Sequence, residues 1–194
     1  MQYLHSMDVP HGNIRTVRSL FYLFSHTLIS SQTNVLVDAD EHVHIGGLGV
    51  ALLPSYTPGV DNDRFFLGAA PELADPGRFG LTDTGATKSS DVYAFGVLAW
   101  EVSIEVVARA QYPQNGTFPH QVFSEQVPFS SKSEVAAAVL MWKGQRPAKP
   151  DNLEISDPVW GVIRECWKPD PARRTSIAEV VAILEEEVSS QRSR

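Results

Sequence analysis

The stretch KSSDVYAFGVLAWEV, residues 88–102, decides the fold of this chain of 194 residues. From Val92 onward it is apolar on nearly every side of a helix, which is typical of a helix buried in a core. Ser89, Ser90 and Asp91 stand directly ahead of this run and are residue types that cap helix N-termini. We therefore predict a central buried helix that begins after Asp91.

Three further helices are predicted between this one and the C-terminus. The first follows a capping box at residues 131–134 and stops at Gly144. The second follows a cap at Ser156 and has Pro158 at its first position, and the third follows a capping box at residues 176–179. The apolar residues of the third recur at helical spacing on one face: Ile177, Val180, Val181, Leu184 and Val188.

The residues ahead of the central helix combine short strands with irregular chain. Two β-rich runs, residues 35–37 and 43–45, flank the turn-forming sequence DADE, so we predict a hairpin there. Residues 1–7 have the pattern of the end of a helix, and residues 47–72 form a long irregular segment. The predicted fold class is mainly α (α+β), a helical bundle with a small β-hairpin.

Composition and charge exclude several classes of protein. The net charge of -7 argues against a nucleic-acid binder, which needs a basic face. The one cysteine, Cys166, excludes a disulfide framework and a thiolate metal site, and it fits a reducing, cytoplasmic compartment. The chain has no apolar run of membrane-spanning length and no signal-peptide pattern near its start, so we expect no membrane insertion. With nucleic acid and membrane excluded, we expect other proteins as the candidate partners.

Seven short motifs, in order along almost the whole chain, resemble the C-terminal lobe of a eukaryotic protein kinase of the Ser/Thr and tyrosine-kinase-like branch. They are YLHS (3–6), HGN (11–13), NVLV (34–37), GLG (47–49), APE (70–72), KSSDVYAFG (88–96) and CWKPDPARR (166–174). Each motif alone is weak, and their shared order carries the resemblance. The resemblance implies ATP binding and protein phosphorylation with Mg²⁺. It also implies a partial kinase domain over residues 1–188, without the N-terminal lobe, and a short polar tail at 189–194.

The resemblance also implies structural roles for individual residues. Glu72 and Arg174 are expected to form a buried ion pair that ties the activation segment to the helical base. Asp91 is expected to accept backbone N–H groups of the catalytic loop, although its position would also suit a helix cap. His11 stands at the histidine of the catalytic-loop motif and is a structural residue.

Residues that would contact a nucleotide are implied in the same way. Asn34 stands at the loop asparagine that binds metal, Leu36 would lie under an adenine, and Arg15 would touch phosphate. For Leu36 and Arg15 we favour the plainer alternative of a hairpin residue and a solvated arginine. Three hydroxyls of the activation-like segment are candidate phosphorylation sites, with solvated loop residues as the favoured alternative: Ser55, Tyr56 and Thr57.

The chain departs from the kinase pattern where the chemistry of that family is concentrated. Asn13 stands at the catalytic aspartate, and an amide accepts a substrate hydroxyl proton very poorly. Gly47 stands at the metal-binding aspartate, so a Mg²⁺ site built on carboxylates and phosphates loses its anchor. Gly12 replaces the arginine that would contact a phosphorylated activation segment. We therefore predict a catalytically inactive, pseudokinase-like domain that binds ATP and Mg²⁺ weakly or not at all.

Two segments lengthen the chain relative to the kinase pattern. Removing residues 17–32 restores the family's spacing between positions 13 and 34, and removing residues 102–121 joins WE (100–101) to VFSEQVPF (122–129). Both segments begin with valine and end with glutamine, whose codons can supply a splice-donor GT and an acceptor CAG. We interpret them as introns translated in frame, and genomic sequence without GT and AG at these borders would contradict that. The alternative is genuine insertions, of which the second would interrupt the buried helix near its end.

Three functions are consistent with these observations. The first is an inactive kinase-family lobe that acts by binding. The second is a piece of an active Ser/Thr or Tyr kinase whose gene is mis-spliced or truncated. The third is a helical interaction domain with chance motifs, which a kinase-like buried central helix would count against. We favour the first, because restored splicing would change neither Asn13 nor Gly47.

Overall fold

The computed structural model describes residues 1–14, 34–37, 43–48, 68–82, 85–111, 129, 134–149 and 155–193. The regular elements among them are α1 (Gln2–Ser6), β1 (Val35–Val37), β2 (Val43–Ile45), α2 (Pro71–Ala74), α3 (Lys88–Gln111), α4 (Glu134–Trp142), α5 (Asp157–Cys166) and α6 (Ile177–Arg192). Short 3₁₀ helices lie at Pro76–Phe79 and Pro171–Arg173. The predicted class, mainly α with a small hairpin, is confirmed for this part of the chain. None of the described helices combines the length and the hydropathy that crossing a membrane requires.

Helix α3 is the buried central helix that the sequence predicts. Five of its apolar residues are at most 5% exposed: Val92, Tyr93, Ala94, Val97 and Trp100. It packs on α5, where a Cβ added to Gly96 would lie 2.7 Å from the Cβ of Cys166. That distance is too short for two Cβ atoms, so glycine at position 96 permits the close approach of the two helices. Burial raises the pKa of the Cys166 thiol to about 12, which makes it a neutral core residue.

The start of α3 differs from the prediction. The helix begins at Lys88, and the residue ahead of it forms the cap. Thr87 Oγ1 accepts the N–H of Ser90 (3.0 Å), while Ser90 Oγ accepts the N–H of Thr87 (2.9 Å). The predicted start after Asp91 is therefore wrong by about one turn. Because threonine and serine three positions apart close a reciprocal pair of bonds, the carboxylate of Asp91 is left for another contact.

Helix α3 also runs further than predicted, without a break to Gln111. Residues 102–111, the first half of the second additional segment, extend this helix, so the interruption attributed to a genuine insertion does not occur in that half. The reason is local, because those residues include no proline or glycine that would end a helix. Residues 112–121 and 17–32, like the cap predicted at Ser131, lie outside the described residues, and the intron interpretation stays a prediction.

The ends of two other helices follow the predicted capping chemistry. Helix α4 stops ahead of Gly144, whose φ of +92° lets the N–H of Gln145 reach the carbonyl of Leu140 (3.1 Å). Helix α6 begins with a capping box. Ser176 Oγ accepts the N–H of Glu179 (3.3 Å), and the Glu179 carboxylate accepts the N–H of Ser176 (2.7 Å). The hydrogen bonds from Ser176 and its neighbour hold the pKa of Glu179 below its usual value.

Two details of α5 and α6 differ from the prediction. Ser156 is the residue ahead of α5, but its hydroxyl makes no capping hydrogen bond, and Pro158 takes the second helical position instead of the first. On α6, Val180 is buried whereas Val188 is 48% exposed. The predicted apolar face is covered only along its first half, because the core cluster that it joins reaches no further than Leu184.

The predicted hairpin is confirmed. Strands β1 and β2 pair antiparallel, with Val35 opposite Ile45, Leu36 opposite His44 and Val37 opposite Val43. The predicted turn between the strands lies outside the described residues. One further backbone bond, from the N–H of Gly46 to the carbonyl of Asn34 (2.7 Å), extends the pairing beyond the strands. This bond holds the start of β1 beside the glycines that follow β2.

The phenol of Tyr93 is buried in the main core without a hydrogen-bond partner for its hydroxyl among the described residues. Its ring lies between two guanidinium groups, 4.9 Å from that of Arg174 and 5.6 Å from that of Arg146. Burial raises the pKa of Tyr93 to about 12, so the phenol is neutral. The ring therefore contributes packing and cation–π contacts, whereas the described residues give its hydroxyl no replacement for lost hydration.

Replacing Tyr93 by phenylalanine is expected to leave the free energy of unfolding unchanged or to raise it by about 1 kcal/mol. The ring and its contacts remain, and only a hydroxyl that has no partner among the described residues is removed. Urea unfolding of Tyr93→Phe beside Tyr3→Phe, whose ring is 75% exposed, measures the difference. A loss of more than about 1 kcal/mol in Tyr93→Phe alone would show that the hydroxyl is bonded.

Candidate functional site

Glu72 and Arg174 form a bidentate ion pair between parts of the chain that are far apart in sequence. Arg174 Nη1 lies 2.6 Å from Glu72 Oε1, and Nη2 lies 2.7 Å from Oε2. Both side chains are at most 1% exposed. The pair joins α2 to the loop ahead of α6, and the predicted contact is confirmed. Two parallel N–H···O bonds to a carboxylate are among the strongest side-chain contacts in proteins.

The remaining donors of Arg174 bind backbone carbonyl oxygens. Nη1 also donates to the carbonyl of Ser89 in the first turn of α3 (2.9 Å), and Nε donates to the carbonyl of Lys168 (2.8 Å). The plane of the guanidinium group lies over the ring of Tyr93. One side chain therefore joins α2, α3 and the loop between α5 and α6.

The carboxylate of Asp91 holds the loop at residues 11–14. Oδ2 accepts the N–H of His11 (2.6 Å) and Oδ1 accepts the N–H of Gly12 (2.8 Å), which confirms the predicted contact. Oδ2 also lies 2.9 Å from Nε2 of His5 on α1. Asp91 is only 2% exposed, so it lies in the interior and positions both the loop and the end of α1.

His11 links this loop to the glycines after β2. Its Nδ1 accepts the N–H of Asn13 (3.2 Å), which places the ring proton on Nε2. Nε2 in turn lies 2.8 Å from the carbonyl oxygen of Gly46, to which it donates. Both ring nitrogens are occupied and the residue is 1% exposed, so His11 serves as a structural link and is not placed to transfer protons.

Asn34 and Gly47 are in contact beside the backbone of Asn13. Asn34 Nδ2 donates to the carbonyl oxygen of Asn13 (2.6 Å). A Cβ added to Gly47 would lie 2.2 Å from Oδ1 of Asn34, so the carboxamide lies directly on the glycine. The three positions to which the sequence assigns catalysis and metal binding are therefore brought together in one place.

The donor atoms at this place do not fit Mg²⁺. Asn13 and Asn34 offer amide oxygens and Gly47 offers no side chain, whereas protein Mg²⁺ sites rely on carboxylates together with phosphate oxygens. Asp91, the carboxylate bound to the loop, accepts backbone N–H groups with both of its oxygens. Within the described ranges, no three His, Cys, Asp or Glu side chains are grouped closely enough to hold a metal ion. These donor atoms therefore support no chemical step through a bound metal.

Several predicted site residues lie outside the part of the chain that the structure describes: Arg15, Ser55, Tyr56 and Thr57. Leu36 lies on β1 opposite His44, and its side chain is also outside the described part. The predicted contacts of these residues with phosphate, adenine or a modifying enzyme stay predictions.

Two contacts near the site were missed by sequence reasoning. His5 reaches Asp91 across 86 positions, and Trp142 Nε1 donates to the carbonyl of Ala69 (2.8 Å). The second bond fixes the segment ahead of α2 to the end of α4. Neither contact has a sequence signal of its own, because a lone histidine or tryptophan on a helix is equally typical of a plain core position.

Comparisons with known proteins agree with this geometry. Residues 1–184 match the family model described as protein tyrosine and serine/threonine kinase. The chain is 30% identical over 191 residues to the megakaryocyte-associated tyrosine-protein kinase of Rattus norvegicus, an alignment that covers 98% of this chain. It is 23% identical over 186 residues to the serine/threonine/tyrosine-protein kinase HT1 of Arabidopsis thaliana, with 95% of this chain covered.

The chain spans 31% and 36% of the lengths of these two relatives, so the match covers about a third of each. It nevertheless runs through nearly all of the present chain, including α2, the central helix α3 and the ion pair between Glu72 and Arg174. On this match, the chain belongs to the protein tyrosine and serine/threonine kinase family.

Proposed function

We propose that this member of the kinase family is catalytically inactive and acts by binding protein partners in the cytoplasm, with ATP and Mg²⁺ bound weakly or not at all. The observation that carries the proposal is the chemistry of positions 13, 34 and 47, which lie together without a carboxylate among them. Phosphoryl transfer depends on positioning and on neutralising the charge of the transferred group. The residues at positions 13, 34 and 47 supply little of the charge neutralisation.

Asn13 is the first reason for the proposed inactivity. In the family pattern its position carries the base that accepts the proton of the attacking hydroxyl, and a carboxamide is a very weak base. Asn13 is 7% exposed, its N–H bonds to His11 and its carbonyl accepts from Asn34. The loop is therefore held in a defined shape, and what it lacks is the basic group.

The preserved scaffold supports a binding role. Arg174, Glu72 and Asp91 keep the contacts that join α2, α3 and the loop at residues 11–14, although none of these contacts performs chemistry. A rigid helical base of this kind can present a surface to another protein. The alternative of a helical interaction domain with chance motifs is contradicted by the family match over residues 1–184.

A second candidate, a piece of an active kinase, is favoured by one observation. Asn34 still bonds to the loop at Asn13, as a residue that orients a nucleotide would need to do. This candidate requires a mechanism that works with an amide at position 13 and no side chain at position 47. Activity measurements separate it from the inactive domain.

Purified chain incubated with radiolabelled ATP and Mg²⁺ or Mn²⁺ is expected to label neither itself nor general Ser/Thr and Tyr substrates above background. Asn13→Asp alone is expected to stay inactive, because a carboxylate at 13 does not supply the missing ligand at 47. Labelling by the unaltered chain that Asn34→Ala abolishes would overturn the proposal and establish the active kinase. Labelling that survives Asn34→Ala would indicate a contaminating kinase, which mass-spectrometric analysis of the preparation identifies.

A further inference from the structure

The carboxamide of Asn34 occupies the space that a side chain at position 47 would need. A Cβ added to Gly47 would lie 2.2 Å from Oδ1, 2.4 Å from Cγ and 2.7 Å from Nδ2 of Asn34. All three distances are shorter than the closest approach of real Cβ atoms to other heavy atoms. Because Gly47 has no side chain, the carboxamide of Asn34 can occupy the space beside it.

The side chain and the backbone of Asn34 each make a hydrogen bond, and displacing the carboxamide acts on the first of them. Its Nδ2 donates to the carbonyl oxygen of Asn13 (2.6 Å), and its own backbone carbonyl accepts the N–H of Gly46 (2.7 Å). With Nδ2 directed at Asn13, Oδ1 is turned toward the backbone of Gly47. A side chain at position 47 would have to displace this carboxamide and so disturb its bond to Asn13.

We propose that Asn34 and Gly47 form a complementary pair that closes this site to divalent cations, so that a carboxylate restored at position 47 does not recreate a metal site. Asn34 is the residue that the kinase pattern would use as a metal ligand, and here its oxygen faces a glycine backbone. Any nucleotide or phosphate that this site takes is bound without a metal ion. The inference deepens the proposed function and rests on it.

The backbone conformation at position 47 also disfavours a side chain, and this effect must be separated from the collision with Asn34. Gly47 has a φ of +80°, a conformation that L side chains adopt only at a cost. Gly80 has a φ of +69° but no atom within 4 Å of an added Cβ. An alanine at position 80 therefore measures the backbone cost alone, and an alanine at position 47 measures the backbone cost plus the collision with Asn34.

Thermal unfolding of Gly47→Ala, Gly80→Ala, Asn34→Ala and the double variant Asn34→Ala/Gly47→Ala tests the pair. Gly47→Ala is expected to lower Tm by about 4 °C or more beyond the shift of Gly80→Ala. In the Asn34→Ala background, where the carboxamide is gone, the further shift from Gly47→Ala is expected to fall to that of Gly80→Ala. Equal shifts at 47 and 80 in the unaltered background, or the same shift at 47 with and without Asn34, would overturn the pairing. If Gly47→Ala does not fold, recovery of folding in the double variant gives the same answer.

Binding of Mn²⁺, followed by the electron paramagnetic resonance signal of the free ion, tests the closure directly. With ATP present, the unaltered chain and Gly47→Asp are both expected to bind no Mn²⁺ beyond what ATP binds alone. Mn²⁺ bound by the unaltered chain and released in Asn34→Ala would overturn the closure, as would strong Mn²⁺ binding by Gly47→Asp. Either result without phosphoryl transfer would leave the proposed inactivity standing. Phosphoryl transfer without protein-bound Mn²⁺ would overturn the inactivity alone.

Discussion

Replacing Arg174 by alanine is expected to lower the free energy of unfolding by about 3–5 kcal/mol, the cost of removing one partner of a buried ion pair. Its side chain is fully buried, and its loss leaves the carboxylate of Glu72, which is 1% exposed, without a counter-charge. It also removes the hydrogen bonds that Arg174 donates to the carbonyls of Ser89 and Lys168. Because the whole stability of a domain is about 5–15 kcal/mol, we expect Arg174→Ala to unfold at a markedly lower denaturant concentration.

Denaturant unfolding followed by far-UV circular dichroism measures this effect. The control is Arg173→Ala, since Arg173 is the adjacent arginine and is exposed. Glu72→Gln provides a second variant that keeps the shape of the side chain and removes its charge. We expect Arg174→Ala and Glu72→Gln to lower the free energy of unfolding strongly and Arg173→Ala to leave it almost unchanged. A loss below about 1 kcal/mol for Arg174→Ala would mean that the pair behaves like an exposed salt bridge.

Replacing Asp91 by alanine is expected to lower the free energy of unfolding by about 3 kcal/mol and to release the loop at residues 11–14 from α3. The carboxylate accepts the backbone N–H groups of His11 and Gly12, and it also bonds His5. Its removal leaves these donors without this acceptor at a largely buried position. Hydrogen bonds to charged groups contribute more to stability than neutral ones, so their loss is more destabilising.

Hydrogen exchange separates this local effect from a general loss of stability. Asp91→Ala is expected to accelerate exchange of the His11 and Gly12 amides more than it accelerates exchange at the centre of α6. Glu186→Ala, which removes an exposed carboxylate from α6, is the control and is expected to change neither quantity. Uniform acceleration throughout the chain would show that Asp91 supports the whole fold and not this loop in particular.

Features that depend on residues close together in the chain were the predictable ones. The capping box at residues 176–179, the stop at Gly144 and the limits of both strands of the hairpin agree with the structure. Each of these depends on hydrogen bonds that span only a few positions, so residue type and spacing determine them. The predicted start of α3 was wrong because Ser89, Ser90 and Asp91 all looked like caps, whereas Thr87, which was not considered, forms the reciprocal pair with Ser90.

Contacts between distant positions were predictable only where a family resemblance supplied them. The ion pair of Glu72 with Arg174 and the bonds from Asp91 to the loop were expected on that basis and are present. The contact of His5 with Asp91 was not expected. Nor did any pattern in the sequence predict that α3 would continue to Gln111, since helix propensity alone does not distinguish an extended helix from an inserted loop.

The sequence by itself determined what positions 13 and 47 can offer, since an asparagine cannot act as a strong base and a glycine cannot act as a charged metal ligand wherever they lie. It also determined the order of helices and the hairpin, through hydrophobic periodicity and capping. Only the tertiary structure decided that the carboxamide of Asn34 fills the space beside Gly47 and that His5 reaches the carboxylate of Asp91. Those outcomes depend on distances between residues far apart in the chain, and such distances are set by how α1, α3, the loop and the hairpin pack together.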